Sequence, residues 1–238
     1  MNTALLLRRV EFAPSERFDP ASWYLEVPAI AELCSDGLSF ERPVTVVVGE
    51  NGIGKSTLIE AIADSWLAGM RGEDPLWSPG GTSGDSDLGH HLRCDGAFPR
   101  PTGGGFLRAE AMGDLFERAD ALRVRETDQV WNALSHGQSF LRYIADRPVG
   151  QGLWLLDEPE AALSFRSCLA LVGVLMDLAA EGSQVVMATH SPILAACPDA
   201  EILELTGEGI EYREWDQLEM VREWRTFLEA PRTYLRHL

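Results

Sequence analysis

The sequence contains no apolar run long enough to cross a bilayer. Its longest, Cys168 to Met176, is about half of the ~20 residues that a membrane span requires. A secretory leader is lacking too: Met1-Asn2-Thr3-Ala4-Leu5-Leu6-Leu7-Arg8-Arg9-Val10 sets its apolar residues before its charges and has no small-residue cleavage site, so it reads as a first strand. Positive charge is scarce. Lys and Arg total 20 against 37 Asp and Glu, for a formal net charge of -17. A surface this acidic disfavours broad, non-specific nucleic-acid binding and leaves room only for a local basic patch. The four cysteines, Cys34, Cys94, Cys168 and Cys197, are scattered without a C-x-x-C pair. That argues against a metal knot and for reduced thiols in a cytoplasmic protein. There is no internal repeat. With 238 residues and 45% apolar content, the chain has the length and composition of a single globular domain, with at most a small subdomain.

Against these absences one stretch stands out. Val46 to Trp66 reads VVVGENGIGKSTLIEAIADSW and contains Gly49, Glu50, Asn51, Gly52, Ile53, Gly54, Lys55, Ser56 and Thr57. The pattern G-x-x-x-x-G-K-[ST] is a phosphate loop: backbone N–H groups wrap phosphates, the Lys reaches the outer ones, and the Ser hydroxyl holds Mg²⁺. The chemistry works only between a buried strand and a helix, and both flanks comply. Val44 to Val48 is a β-branched run, as a buried parallel strand should be. From Thr57 to Ala68, Leu58, Ile59, Ile62, Ala63, Trp66 and Leu67 fall at helical spacing, and Gly69 is a natural stop. The helix N-terminus then faces the loop, where its dipole favours an anion. The context makes a chance glycine turn the poorer explanation.

Short apolar runs recur at Leu153–Leu156 and Val185–Ala188, each followed by a helical segment. Strands alternating with helices predict an α/β fold with a mostly parallel sheet, in which ligands sit beyond the carboxyl ends of the strands. The first of these runs ends in Asp157-Glu158-Pro159-Glu160. Alone, that is most simply a strand ending in solvated acids. In a chain with a phosphate loop, Asp157 is the expected Mg²⁺-side carboxylate and Glu158 the place for a water-activating base. Residues 72–105, rich in Gly, Pro and Ser, read as a surface insertion or loop with room for one short strand pair. Residues 111–147 read mostly as helix. In 212–238, Leu218, Val221, Trp224, Phe227 and Leu228 recur at helical spacing and predict C-terminal helices packed back on the domain, in preference to a dimer or partner face.

Leu134-Ser135-His136-Gly137-Gln138 is the discriminating stretch. Together with the phosphate loop and the acid pair it resembles the ATP-binding-cassette (ABC) ATPases, whose signature is LSGGQ. The resemblance implies a P-loop NTPase fold with a small helical signature subdomain, here 111–150 within a single domain 1–238. It also implies an ATPase that uses ATP and Mg²⁺. Carried over by motif, Gly49 to Thr57 bind ATP, Ser56 and Asp157 hold the metal, and Glu158 is the catalytic base. Ala161 to Ser164 fall where the family has its D-loop. His190, in Ala188-Thr189-His190-Ser191-Pro192, falls where the family has its switch histidine. A lone His after a strand is more often structural, but its place 32 residues beyond the acid at the end of the next strand run reverses that reading. Within the signature Ser135, His136, Gly137 and Gln138, placed in trans, Ser135 and Gly137 would contact the γ-phosphate of ATP held by a second copy, making an ATP-dependent homodimer.

The departures from the family pattern are specific. His136 replaces the first signature glycine, either packing outward, the preferred reading, or adding a donor toward phosphate. The family's Q-loop glutamine is missing. Phe106-Leu107-Arg108-Ala109-Glu110 occupies its place, and Glu110 is the candidate substitute. The adenine-stacking aromatic stays open among Phe18, Trp23, Tyr24 and Phe40. The sequence thus predicts a soluble ATPase acting as a dimer switch, over an ATP-binding subunit of a membrane transporter or a short-armed DNA-maintenance ATPase. The 81 residues from Gly54 to Ser135, broken by prolines and glycines, leave no place for a long coiled-coil arm. A nucleotide-binding scaffold without turnover is the reading least favoured by the intact set Lys55, Ser56, Asp157, Glu158 and His190.

Overall fold

The computed structural model describes residues 5–68, 86–97, 101, 103–108, 141, 144 and 151–236. Within them, strands β1 (Leu7–Phe12), β2 (Leu38–Ser39) and β4 (Leu92–Gly96) form an antiparallel sheet in the order β2-β1-β4. Strands β3 (Val44–Gly49), β5 (Gly103–Arg108), β6 (Gly152–Asp157), β7 (Gln184–Ala188), β8 (Glu201–Thr206) and β9 (Gly209–Tyr212) form a second sheet, ordered β5-β6-β7-β3-β8-β9. All its pairings are parallel except β8 with β9. The predicted α/β class and parallel-rich sheet are therefore present.

The long sheet separates two apolar clusters, and the strand period of two assigns its residues to them. Val47, Leu153, Leu155, Val186 and Ala188 face one side, against helices α1 (Pro28–Asp36) and α2 (Lys55–Ala68). Val46, Val48, Trp154, Leu156, Val185 and Met187 face the other, where α3 (Phe165–Ala180) packs Cys168, Leu171 and Leu175. Strands buried on both faces need continuous apolar runs, which is why VTVVV and LWLL carry no polar alternation. Helix α3 begins with Ser164 accepting from the Ser167 N–H at 3.3 Å. It ends in a Schellman turn: Gly182 has φ 88, and the Ser183 N–H donates to Leu178 O at 2.9 Å. The two sheets are joined by the Gln184 side-chain amide, which accepts from the Leu7 N–H and donates to Leu7 O, both at 2.8 Å.

Within the stretch read as a surface loop, residues 88–96 are ordered into the core. A 3₁₀ turn at Leu88–His91 leads into β4, which pairs with β1 instead of with a neighbour in its own stretch. The Gly-rich composition of the surroundings hides this short strand. Gly103 to Gly105 likewise belong to β5. Of the expected helical subdomain only Leu141 and Ile144 are described; both are helical, and Ile144 is buried beside Trp154 and Leu156. The C-terminal residues form α4 (Glu219–Glu229) and α5 (Pro231–Leu235). Their packing corrects the expectation. Leu218 and Val221 are buried, but Trp224, Phe227 and Leu228 are 49%, 36% and 70% exposed. Only the first turn of α4 touches the second cluster. Helical periodicity showed that the face exists, and could not show how far along its length the body reaches.

Candidate functional site

Strand β3 delivers Gly49 directly into the loop that starts α2 at Lys55. Two glycines are required by the fit. Gly49 has φ 145, and a Cβ there would lie 2.6 Å from Leu205 O; Gly54 has φ 102, and its Cβ would lie 2.8 Å from Val27 Cγ1. The loop is thus pressed against β8 on one side and the start of α1 on the other, and larger residues would push it off. The helix starts two residues earlier than its apolar pattern indicated, so Lys55 and Ser56 sit in its first turn.

Lys55 is 4% exposed. Its ammonium donates to Gly49 O at 2.9 Å and Glu50 O at 2.7 Å, so the side chain curls back into its own loop. Burial holds its pKa below the usual lysine value, against the opposing pull of Glu158, Asp157 and Glu160. The Ser56 hydroxyl donates to Asp157 Oδ1 at 3.1 Å. Asp157, at the end of β6, is 3% exposed; burial raises its pKa, while Arg108 and the Ser56 hydroxyl work in the other direction.

Glu158 follows with φ 47 and ψ 51. A left-handed conformation is uncommon for a non-glycine residue, and the residue before a proline is disfavoured in helical regions as well. It is held in place by its N–H donating to Ala188 O at 3.0 Å, beside the last residue of β7. The Thr189 N–H donates to Val47 O at 3.0 Å and carries the chain past β7 to His190. His190 Nε2 lies 3.3 Å from Glu158 Oε1, but is buried and makes no hydrogen bond. The His190 N–H donates to Glu160 Oε1, whose partner oxygen Oε2 is also buried and unpaired. Lys55, Ser56, Asp157, Glu158 and His190 therefore converge at the carboxyl ends of β3, β6 and β7. Ser135, His136, Gly137, Gln138 and Glu110 lie outside the described residues.

Three contributors were not singled out from sequence. Arg108, at the end of β5, stands opposite Asp157 in the parallel register and donates from Nε to Asp157 Oδ2 at 3.1 Å. Its second nitrogen pairs with Glu60 on α2. Glu160 secures the His190 backbone. The missing signal is strand adjacency: β5 and β6 are neighbours in space but far apart in the chain.

Residues 35–75 match the model of a family described as an AAA domain. The cytochrome c biogenesis ATP-binding export protein CcmA of Paracoccus denitrificans is 32% identical over 166 residues, covering 67% of this chain and 74% of that one. The protein of the same name from Rhizobium meliloti is 32% identical over 183 residues, covering 68% and 84%. The chain belongs to the ABC ATPases. Its fold agrees with that of cbiO1 from Clostridium perfringens, part of the ABC transporter complex cbiONQ, at a TM-score of 0.52 with 17% identity, over 99% of this chain and 100% of that one. As an ABC ATPase it binds and hydrolyses ATP. No described helix of this ABC ATPase is long and apolar enough to cross a membrane.

Proposed function

We propose that the chain is an ATP-driven dimer switch whose hydrolytic centre is built from Lys55, Ser56, Asp157, Glu158 and His190, with residues 49–57 cradling the phosphates. The convergence of these side chains at the ends of three adjacent parallel strands carries the reading. A hydroxyl and a buried carboxylate oxygen 3.1 Å apart suit a hard divalent cation. Among the described residues no group of three or more His, Cys, Asp or Glu could hold a metal. Mg²⁺ prefers one or two protein ligands plus phosphate oxygens and water, and Ser56 and Asp157 would supply the protein ligands. When bound, Mg²⁺ would neutralise charge on the transferred phosphoryl group.

The residues around it have distinct tasks. Lys55 exchanges the carbonyls of Gly49 and Glu50 for phosphate oxygens, and the N-terminus of α2 adds its dipole. Glu158 orients or deprotonates the attacking water. His190 offers Nε2 to the γ-phosphate side. Ser135, His136, Gly137 and Gln138 of a second copy close the site, and hydrolysis releases the pair. The cytoplasm is its proposed compartment, and the net charge of -17 makes nucleic acid a disfavoured partner.

The test is the mass of Glu158→Gln in solution by light scattering, with and without ATP·Mg²⁺. We expect a monomer that becomes a dimer only with ATP, and turnover reduced by about 10²-fold or more. Wild-type turnover by this variant overturns the role of Glu158. A mass unchanged by bound ATP overturns the self-closing dimer.

The relatives favour a second reading. Both are named as export proteins, so an ATP-binding subunit working with a membrane partner is the alternative. Recovery of a stoichiometric membrane protein with the tagged chain from detergent-solubilised membranes would support it over the free-standing switch.

A further inference from the structure

Arg108 and Glu60 are not used by the mechanism above, yet both touch its metal carboxylate or the helix beside it. Ser56 and Glu60 lie one turn apart on one face of α2. Ser56 donates to Asp157 Oδ1, Arg108 donates to Asp157 Oδ2, and Arg108 also pairs with Glu60. The four side chains close a ring that joins α2, β6 and β5. Both oxygens of Asp157 are engaged, one of them by a full positive charge. The side chain of Asp157 is 4% exposed, that of Glu60 18% and that of Arg108 35%, so the carboxylates are screened less than those of a surface pair.

Resting on the reading of Asp157 as the metal carboxylate, we infer that Arg108 is a positioning residue that also sets the Mg²⁺ requirement of the ATP site. Its fork fixes the Asp157 rotamer. Its charge competes with the divalent cation for the same carboxylate. Glu60 shares the guanidinium with Asp157: without it the charge of Arg108 falls wholly to Asp157, and less of the carboxylate is open to Mg²⁺. A purely structural clamp would hold β5 to α2 without any effect on the metal dependence.

The experiment is a Mg²⁺ titration of fluorescent ATP-analogue binding to the full chain, at fixed nucleotide and with Mg²⁺ buffered by EDTA. In Arg108→Gln the half-point is expected to fall roughly fivefold to tenfold, because a cation beside a poorly screened carboxylate is removed. Arg108→Lys, which keeps the charge but loses the fork, is expected to lower the half-point less than Arg108→Gln does. Glu60→Gln moves the half-point the other way, and supplies the test if Arg108→Gln does not melt as a folded protein. An Arg108→Gln half-point equal to or above that of wild type overturns the inference, as does a Glu60→Gln half-point that stays put. Asp157→Asn separates the two failures. If it titrates like wild type, the metal role of Asp157 falls and the inference with it. If it loses the Mg²⁺ response while Arg108→Gln titrates like wild type, the metal role stands and the inference alone falls.

Discussion

At the scale of single residues, conformational cost is stored at Glu158, the residue proposed to act on the attacking water. Glu158 sits at φ 47 directly before Pro159, in a region that costs a residue of its type on the order of 1–3 kcal/mol. The side chains of Glu158 and His190 are 42% and 34% exposed, so their approach returns little. Asparagine visits the left-handed region far more readily than glutamate. Glu158→Asn should therefore be more stable than wild type by about 0.5–1 kcal/mol while hydrolysing ATP about 10²-fold more slowly. Urea midpoints and phosphate-release rates check the two halves. A variant that loses both stability and turnover would show that the strain is not where the backbone puts it. Asp157 is the contrasting case: its backbone is regular, and its cost is desolvation, relieved by Ser56 on one oxygen and Arg108 on the other.

At the scale of elements, the tail shows what packing adds to periodicity. Leu218 is fully buried at the start of α4, whereas Trp224 is half-exposed two turns on. Leu218→Ala should cost about 2–4 kcal/mol and Trp224→Ala less than about 1 kcal/mol, read from chemical unfolding. Equal losses would mean that α4 lies against the body along its whole length. The same contrast explains which elements were legible beforehand. Strands β3, β6 and β7 were readable because buried parallel strands carry uninterrupted apolar runs, and α2 because its apolar stripe ends at a glycine. Strand β4 was not, since LRCDG has only two inward residues and borrows its register from β1. The glycine-rich turn between β3 and α2 and the acid pair that closes β6 were legible as local patterns. The Arg108–Asp157–Glu60 grouping was not, because it exists only once β5 is laid beside β6.

At the scale of the molecule, two apolar clusters on either side of one sheet leave little reactive surface for the thiols. None of the four cysteines is in a disulfide; Cys94, Cys168 and Cys197 are buried and Cys34 is half-buried. Burial pushes Cys34 and Cys197 up to about 11. At pH 8 their thiolate fraction is on the order of 10⁻³, which makes both poor nucleophiles. A thiol-reactive chromophore should therefore modify the folded chain slowly at that pH and release four equivalents on denaturation; rapid modification of the native chain would mean that the clusters open readily. Amines present the opposite distribution. The basic side chains of this sequence are arginines but for one, and Lys55 is its only lysine. Lysine chemistry across the whole molecule is therefore confined to the phosphate loop. An acylating or aldehyde reagent that reaches a lysine reaches that one, so lysine modification reports how readily the buried Lys55 leaves the carbonyls of Gly49 and Glu50.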